Sequence, residues 1–240
     1  MKNVPELIFE NDYLLVVNKP AGVFSVPDRL QSAVSLREML EQRYGKIFAV
    51  HRLDKDTSGI IVFAKTEAAH KYLSGVFEHR EATKIYYGFV HGSLTEASGN
   101  IDAPIMEHPV QKGVMVVNRK GKPAQTLYEL VHDFQLYSLV KFHILTGRTH
   151  QIRLHSKHIG NPIVCDAVYG DGQPVKVSSF KRNYHLGKNT EEEKPLLNRL
   201  ALHAAELGFT GMQGEPLYFN VPMPKDMTAL KKQLEKWKRV

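Results

Sequence analysis

The sequence predicts an α+β protein in which antiparallel strands dominate. A strand-rich region extends from Lys84 to about Leu145, where β-branched and aromatic segments are separated by Gly, Pro or Asn turns. Two short apolar strands open the chain. Helix signals at Ser35, at Thr66 and near the C-terminus supply the helical half of the class.

Residues 7–11 and 13–19 read as the opening strands, joined by a turn near Asn11-Asp12, and Pro20-Ala21-Gly22 breaks the second. Ser35 and Glu38 form a capping box, which predicts a helix to about Tyr44, before Gly45. Residues 60–64 are apolar and read as a buried strand. A helix follows to about His79, with Thr66 as its N-cap. Strands are expected at 86–90, 114–117, 126–131 and 139–144. Residues 148–159 read as a helix ending at Gly160, and residues 200–207 as another. The last helix begins near Asp226, with Met227, Leu230, Leu234 and Trp237 on one apolar stripe and its lysines on a solvated face. Residues 171–198 are polar and carry Glu191-Glu192-Glu193, so they read as a loop insertion within a single domain spanning 1–240. No internal repeat is found.

Composition narrows the function classes. The 240 residues can bury a sizeable core, and the 42% hydrophobic share is ordinary for a globular chain. No apolar stretch approaches a membrane span, and the first residues lack a secretory h-region. The single Cys165 excludes an intramolecular disulfide and a thiolate zinc cage. These features predict a cytoplasmic protein. A formal charge of +7 attracts polyanions and would make phosphate binding salt-dependent, but on charge alone a nucleic-acid partner and a basic protein without one both fit.

Two segments concentrate chemistry. Residues 51–59 read His-Arg-Leu-Asp-Lys-Asp-Thr-Ser-Gly and lead into the apolar strand, which sets Asp54 at the edge of a core. A carboxylate is costly there unless it finds a cation or donors. Taken alone, Asp54, Asp56, Thr57 and Ser58 read more simply as capping a turn. Residues 146–155 read Thr-Gly-Arg-Thr-His-Gln-Ile-Arg-Leu-His, bringing arginines, histidines and Gln151 together after a glycine. A helix here would put Arg148 and Ile152 on one face, and Gln151 and His155 on another. Arginines so placed suit phosphate or a buried carboxylate.

Together these segments resemble the RluA-type family of pseudouridine synthases. Its His-Arg-Leu-Asp-x-x-Thr-Ser-Gly hallmark matches residues 51–59, and its Gly-Arg-Thr-His-Gln-Ile-Arg run matches residues 147–153. Val17-Asn-Lys-Pro-Ala-Gly22, Gly160-Asn-Pro-Ile163, Tyr169-Gly170 and Leu200-Ala-Leu-His-Ala204 also match, in the family's order. The chain departs from the family pattern at Cys165-Asp166, where Gly-Asp is usual, and in the length of 171–198. Because the match begins near residue 6, an S4-type RNA-binding domain in front is not expected. The resemblance implies a mixed, mostly antiparallel central sheet with flanking helices and a catalytic cleft.

It also implies roles. Asp54 would be the essential aspartate of an enzyme that detaches uracil from its ribose, rotates it and reattaches it through carbon. Arg148 would steady that carboxylate in its ionised form. Tyr86 would stack on the flipped base, recovering about 1–3 kcal/mol of lost stacking. Arg52 would fill the gap left in the RNA, Ile152 would wall the base pocket, and Arg153 would contact phosphate or support the site. No cofactor and no metal is implied. The implied partner is ribosomal or transfer RNA, with no membrane, no protein partner and a monomeric chain. Rival readings are a metal-dependent nuclease, a kinase and a non-catalytic RNA-binding protein. The histidines show no familiar metal-ligand spacing, a kinase would need a Gly-rich loop and Asp-Phe-Gly, and RNA binding alone does not explain Asp54, Tyr86 and Arg148 together.

Overall fold

The computed structural model describes residues 5–28, 30–181, 184–185 and 192–237. In chain order its elements begin with β1 (Glu6–Glu10), β2 (Leu14–Lys19), α1 (Leu36–Tyr44), β3 (Phe48–Ala49), β4 (Ser58–Ala64), α2 (Glu67–Glu78) and β5 (Thr83–His91). There follow β6 (Ser98–Asp102), β7 (Ile105–Glu107), β8 (Met115–Val117), β9 (Gln125–Asp133), β10 (Tyr137–Ile144) and α3 (Gln151–His158). The chain closes with β11 (Leu202–Thr210), β12 (Pro216–Asn220) and α4 (Lys225–Lys236). Backbone contacts divide the chain into two compact units, Met1–Tyr86 with His203–Pro222, and Tyr87–Leu202 with Met223–Val240.

In the first unit the strands run in the order β1-β2-β4-β11, with β3 along β4 and β12 along β11. β4 and β11 are parallel, while β1–β2, β2–β4, β3–β4 and β11–β12 are antiparallel, so the sheet is mixed and mostly antiparallel. Every residue of β4 is buried, as a strand covered on both faces requires. The core joins Val16, Ile60 and Val62 of the sheet to Ala69, Leu73 and Val76 of α2. Helix α2 starts where the sequence places its cap, because the Thr66 side chain accepts from the Ala69 N–H at 3.1 Å. The capping box at Ser35 and Glu38 is likewise formed.

In the second unit β10, β9 and β6 succeed the later residues of β5, and β9 pairs antiparallel with both β10 and β6. β7 and β8 form a separate antiparallel hairpin. Ile105, Ala124, Leu154 and Tyr169 form a small core under it. Met227, Leu230 and Leu234 of α4 are buried as the stripe predicts, while Trp237 only caps the helix end. Residues 182–183 and 186–191 of the expected 171–198 insertion lie outside the described residues. The described remainder holds a short 3-10 turn at Val177–Ser179 and a bridge from Val175 to Leu197.

Two expectations are corrected. The helix predicted over 200–207 is strand β11. Its Ala, Leu and Glu residues favour a helix locally, but pairing with β4 and β12 and burial of both faces override that weak preference. Gly59 permits the close approach, since a Cβ there would lie 2.0 Å from the Ala204 carbonyl oxygen and its φ is +118°. The helix predicted over 148–159 begins only at Gln151, so Arg148 stands in the turn before α3 and shares no helix face with Ile152.

Candidate active site

Asp54 lies on the loop between β3 and β4, and that loop is held through its backbone. Lys19, wholly buried at the end of β2, donates from Nζ to the carbonyls of Pro20 (3.1 Å), Val23 (2.7 Å) and Lys55 (2.9 Å). The Gly22 N–H donates to the same Lys55 carbonyl at 2.9 Å. On the other side of Asp54, the Ser25 hydroxyl accepts from the Leu53 N–H at 3.0 Å and donates to the Leu53 carbonyl at 2.8 Å. The Thr57 N–H closes a turn onto the Asp54 carbonyl at 3.2 Å. Asp54 is therefore flanked on both sides by peptides that cannot drift, and its half-buried side chain projects from a fixed point. Arg52 and Asp56, on the same loop, are exposed.

His51 anchors the start of the loop. Its ring stacks on Phe77 with centroids 4.6 Å apart, and its Nε2 accepts from the Val62 N–H at 3.2 Å. Burial, with the Lys84 ammonium as second cause, pushes its pKa down to about 3, so the imidazole is neutral and serves as an acceptor. At the loop's far end the Ser58 hydroxyl and His203 Nδ1 meet at 2.9 Å. Tyr86 of β5 is buried. Burial raises its phenol pKa well above the usual value, and the nearby Asp54 carboxylate raises it further, so the ring is a neutral phenol within the electrostatic reach of that carboxylate.

In the second unit, Arg148 lies half-buried in the turn from β10 to α3. Its Nε donates to the Pro123 carbonyl at 3.1 Å and its backbone N–H to Gln151 Oε1 at 3.0 Å. Ile152 is buried in α3. Arg153 is engaged within the protein, donating from Nε to Asp166 Oδ2 at 2.7 Å and from Nη2 to Oδ1 at 2.8 Å. Asp166 also accepts the N–H groups of Val168 and Tyr169. Burial would raise the Asp166 carboxyl, but the Arg153 guanidinium and those N–H groups carry it below the ordinary range. Tyr169, whose ring lies 5.1 Å from the Arg153 guanidinium carbon, accepts the Met115 N–H at 2.8 Å and meets His150 Nδ1 at 2.8 Å. Cys165, where the resemblance expects glycine, has φ +58°, a left-handed conformation in which glycine carries no side-chain strain.

Sequence reasoning named Asp54, Arg52, Tyr86, Arg148, Ile152 and Arg153. The structure brings Asp54 and Tyr86 into one electrostatic neighbourhood within the first unit and sets Arg148, Ile152 and Arg153 around the start of α3 in the second. It adds Ser25, and it gives structural roles to Lys19 and Gln151, which sequence reasoning named without assigning them any. Lys19 carried a readable signal, a lysine ending an apolar strand just before Pro-Ala-Gly. Ser25 carried none.

Comparison with known proteins bears on this arrangement. A family model described as RNA pseudouridylate synthase matches residues 13–158. The dual-specificity RNA pseudouridine synthase RluA of Vibrio vulnificus (strain CMCP6) is 38% identical over 214 residues, covering 85% of this chain and 77% of that protein. The ribosomal large subunit pseudouridine synthase D of Escherichia coli (strain K12) is 34% identical over 233 residues, covering 94% of this chain and 69% of that protein. Among solved structures, human RNA pseudouridylate synthase domain containing 1 superposes with a TM-score of 0.70 at 26% identity, covering 93% of this chain and 85% of that one. Human RNA pseudouridylate synthase domain containing 4 shares the fold, with a TM-score of 0.74 at 24% identity over 96% of this chain and 93% of that one.

Proposed function

Because the chain belongs to the RNA pseudouridylate synthase family and is an RNA pseudouridine synthase, we propose that Asp54 is its catalytic aspartate and that its substrate is uridine in ribosomal or transfer RNA. The reaction breaks the bond from ribose to the uracil nitrogen and forms one from the same sugar carbon to a ring carbon. It needs an ionised carboxylate on a rigid mount beside a face on which a flipped base can stack. The observation that carries this reading is the Asp54 loop, clamped on both sides by Lys19 and Ser25, with the neutral phenol of Tyr86 within its field. Tyr86 is the stacking surface and Arg148 the catalytic cation. The exposed Arg52 has the planar, permanent charge that suits the space a flipped base leaves. Ile152 contributes an apolar wall to the base site. Arg153, whose guanidinium is taken up by Asp166, supports the site rather than holding phosphate.

Further parts of this reading are that the chain works as one monomeric catalytic domain in the cytoplasm, with residues 171–198 as an insertion and without cofactor, metal or protein partner. Among the described residues no helix is long and apolar enough to cross a membrane. The test is Asp54→Ala, assayed for RNA binding and for pseudouridine formation. We expect binding within about threefold of the parent, and product formation lower by on the order of 10⁴-fold or more, the scale seen when a catalytic carboxylate or nucleophile is removed. Substantial product from a folded Asp54→Ala protein would overturn the assignment.

A further inference from the structure

Helix α3 begins without an ordinary cap. His150, at the N-cap, has φ +54° and makes no side-chain cap hydrogen bond. The turn is closed instead by the first helical residue reaching backwards. Gln151 Oε1 accepts from the Arg148 N–H at 3.0 Å and from the Thr146 hydroxyl at 2.7 Å. Its Nε2 donates to the Gln125 carbonyl and to Thr126 Oγ1, each at 2.9 Å. The side chain is 4% exposed, and every donor and acceptor position of the carboxamide is filled. The amide cannot be flipped, because the Arg148 N–H can only donate and the Gln125 carbonyl can only accept.

The bonds close a ring around Arg148. The Gln151 N–H donates to the Arg148 carbonyl at 3.1 Å, so residue 151 grips Arg148 at both its N–H and its C=O. The same amide ties the turn to the Gln125 carbonyl and the Thr126 hydroxyl, and the neighbouring Pro123 carbonyl accepts from Arg148 Nε. A shift of the amide would therefore move both the backbone that carries the guanidinium and the strand entry against which it rests. We propose that Gln151 is a positioning residue for Arg148, setting the guanidinium for the pseudouridine-forming step without touching RNA. The proposal rests on the catalytic reading of Arg148 given above.

Gln151→Glu is the sharpest probe, because it preserves shape and the Oε1 acceptor but removes both donors. The ionised carboxylate would face the Gln125 carbonyl. Once protonated, it can donate again. In steady-state assays on RNA we expect kcat to fall about 10- to 100-fold with KM within about threefold, the effect of a misplaced catalytic group. The deficit should narrow as the pH is lowered from 8 to 6. Gln151→Met, of similar length but without hydrogen bonds, should lose kcat to at least the same extent at every pH. Adding Gln151→Glu to Arg148→Ala should cost nothing further, because a residue that works through Arg148 has nothing left to position. A folded Gln151→Glu enzyme with parental kcat, or losses that simply multiply in the double variant, would overturn the proposal. Parental activity in Arg148→Ala alone would remove the catalytic reading of Arg148, and the Gln151 proposal with it.

Discussion

The loop that carries Asp54 and the turn that carries Arg148 solve the same mechanical problem with opposite chemistry. Each presents a charged side chain from a short irregular segment, and each is held by hydrogen bonds to its backbone. The Asp54 loop is held by a buried ammonium and a hydroxyl. The Arg148 turn is held by a neutral amide. The difference follows from the backbone groups each segment offers. The Asp54 loop and the turn at residues 20–23 present carbonyls, which one ammonium with three N–H donors satisfies at once. A second cation behind a guanidinium would repel it, so an uncharged group with both donors and acceptors serves better. The cost also differs. Burying Lys19 is tolerable only because its Nζ meets carbonyl oxygens in several directions, whereas Gln151 carries no charge to desolvate.

The largest effect that separates the two regions should come from Lys19→Met. The substitution keeps the volume but takes the Lys19 donor from the Pro20 and Val23 carbonyls and leaves the Lys55 carbonyl with the Gly22 N–H alone, at about 1–3 kcal/mol for each buried group left unpaired. We expect a clear drop in thermal unfolding temperature together with at least a tenfold loss of kcat. If Lys19→Met kept both, the ammonium would not be what holds the Asp54 loop. Ser25→Ala is the milder cut, since it removes a single hydroxyl from the Leu53 peptide. It should cost about 1–2 kcal/mol of stability, measured by denaturant unfolding. It should also lower kcat more than it raises KM for RNA, and an equal effect on both would show that the hydroxyl supports RNA binding instead.

The effect that is smallest near neutral pH is a pH dependence specific to the first unit. His51 is neutral in the fold, with its pKa pushed down to about 3, against about 6.5 when unfolded. The unfolded chain therefore binds one more proton between those values. The stability that His51 contributes is complete above about pH 6.5 and is lost as the pH falls toward 3, at no more than about 1.4 kcal/mol per pH unit. His51→Gln should flatten that part of the stability curve, as measured by urea unfolding at several pH values. An unchanged slope would mean that the imidazole accepts a proton within the fold.

The sequence was most legible where chemistry is dense. Residues 51–59 and 146–155 stand out because charged and turn-forming residues gather there beside apolar strands, and it was their resemblance to a known family that gave roles to Asp54 and Arg148 within them and to Tyr86 outside them. Helix caps were legible for a related reason: Ser35 with Glu38, and Thr66, act on backbone groups within three residues. Reading failed where a distant partner made the decision. Residues 202–210 carry good helix formers, yet they form a strand because β4 and β12 offer them ladders. Arg148 was placed on a helix face because the Gly-Arg-Thr-His run hides the left-handed His150 at which the helix starts.

By itself, the sequence determined which residues can do chemistry, where the Ser35 and Thr66 caps fall, and which segments must be buried, since these depend on side-chain type and short-range spacing. Tertiary structure alone decided that Lys19 and Ser25 grip the peptides around Asp54, and that one amide at position 151 grips Arg148. Those hydrogen bonds link groups up to 36 residues apart in the chain. No local pattern encodes such a partner, because a buried donor takes whichever acceptor the fold brings within about 3 Å.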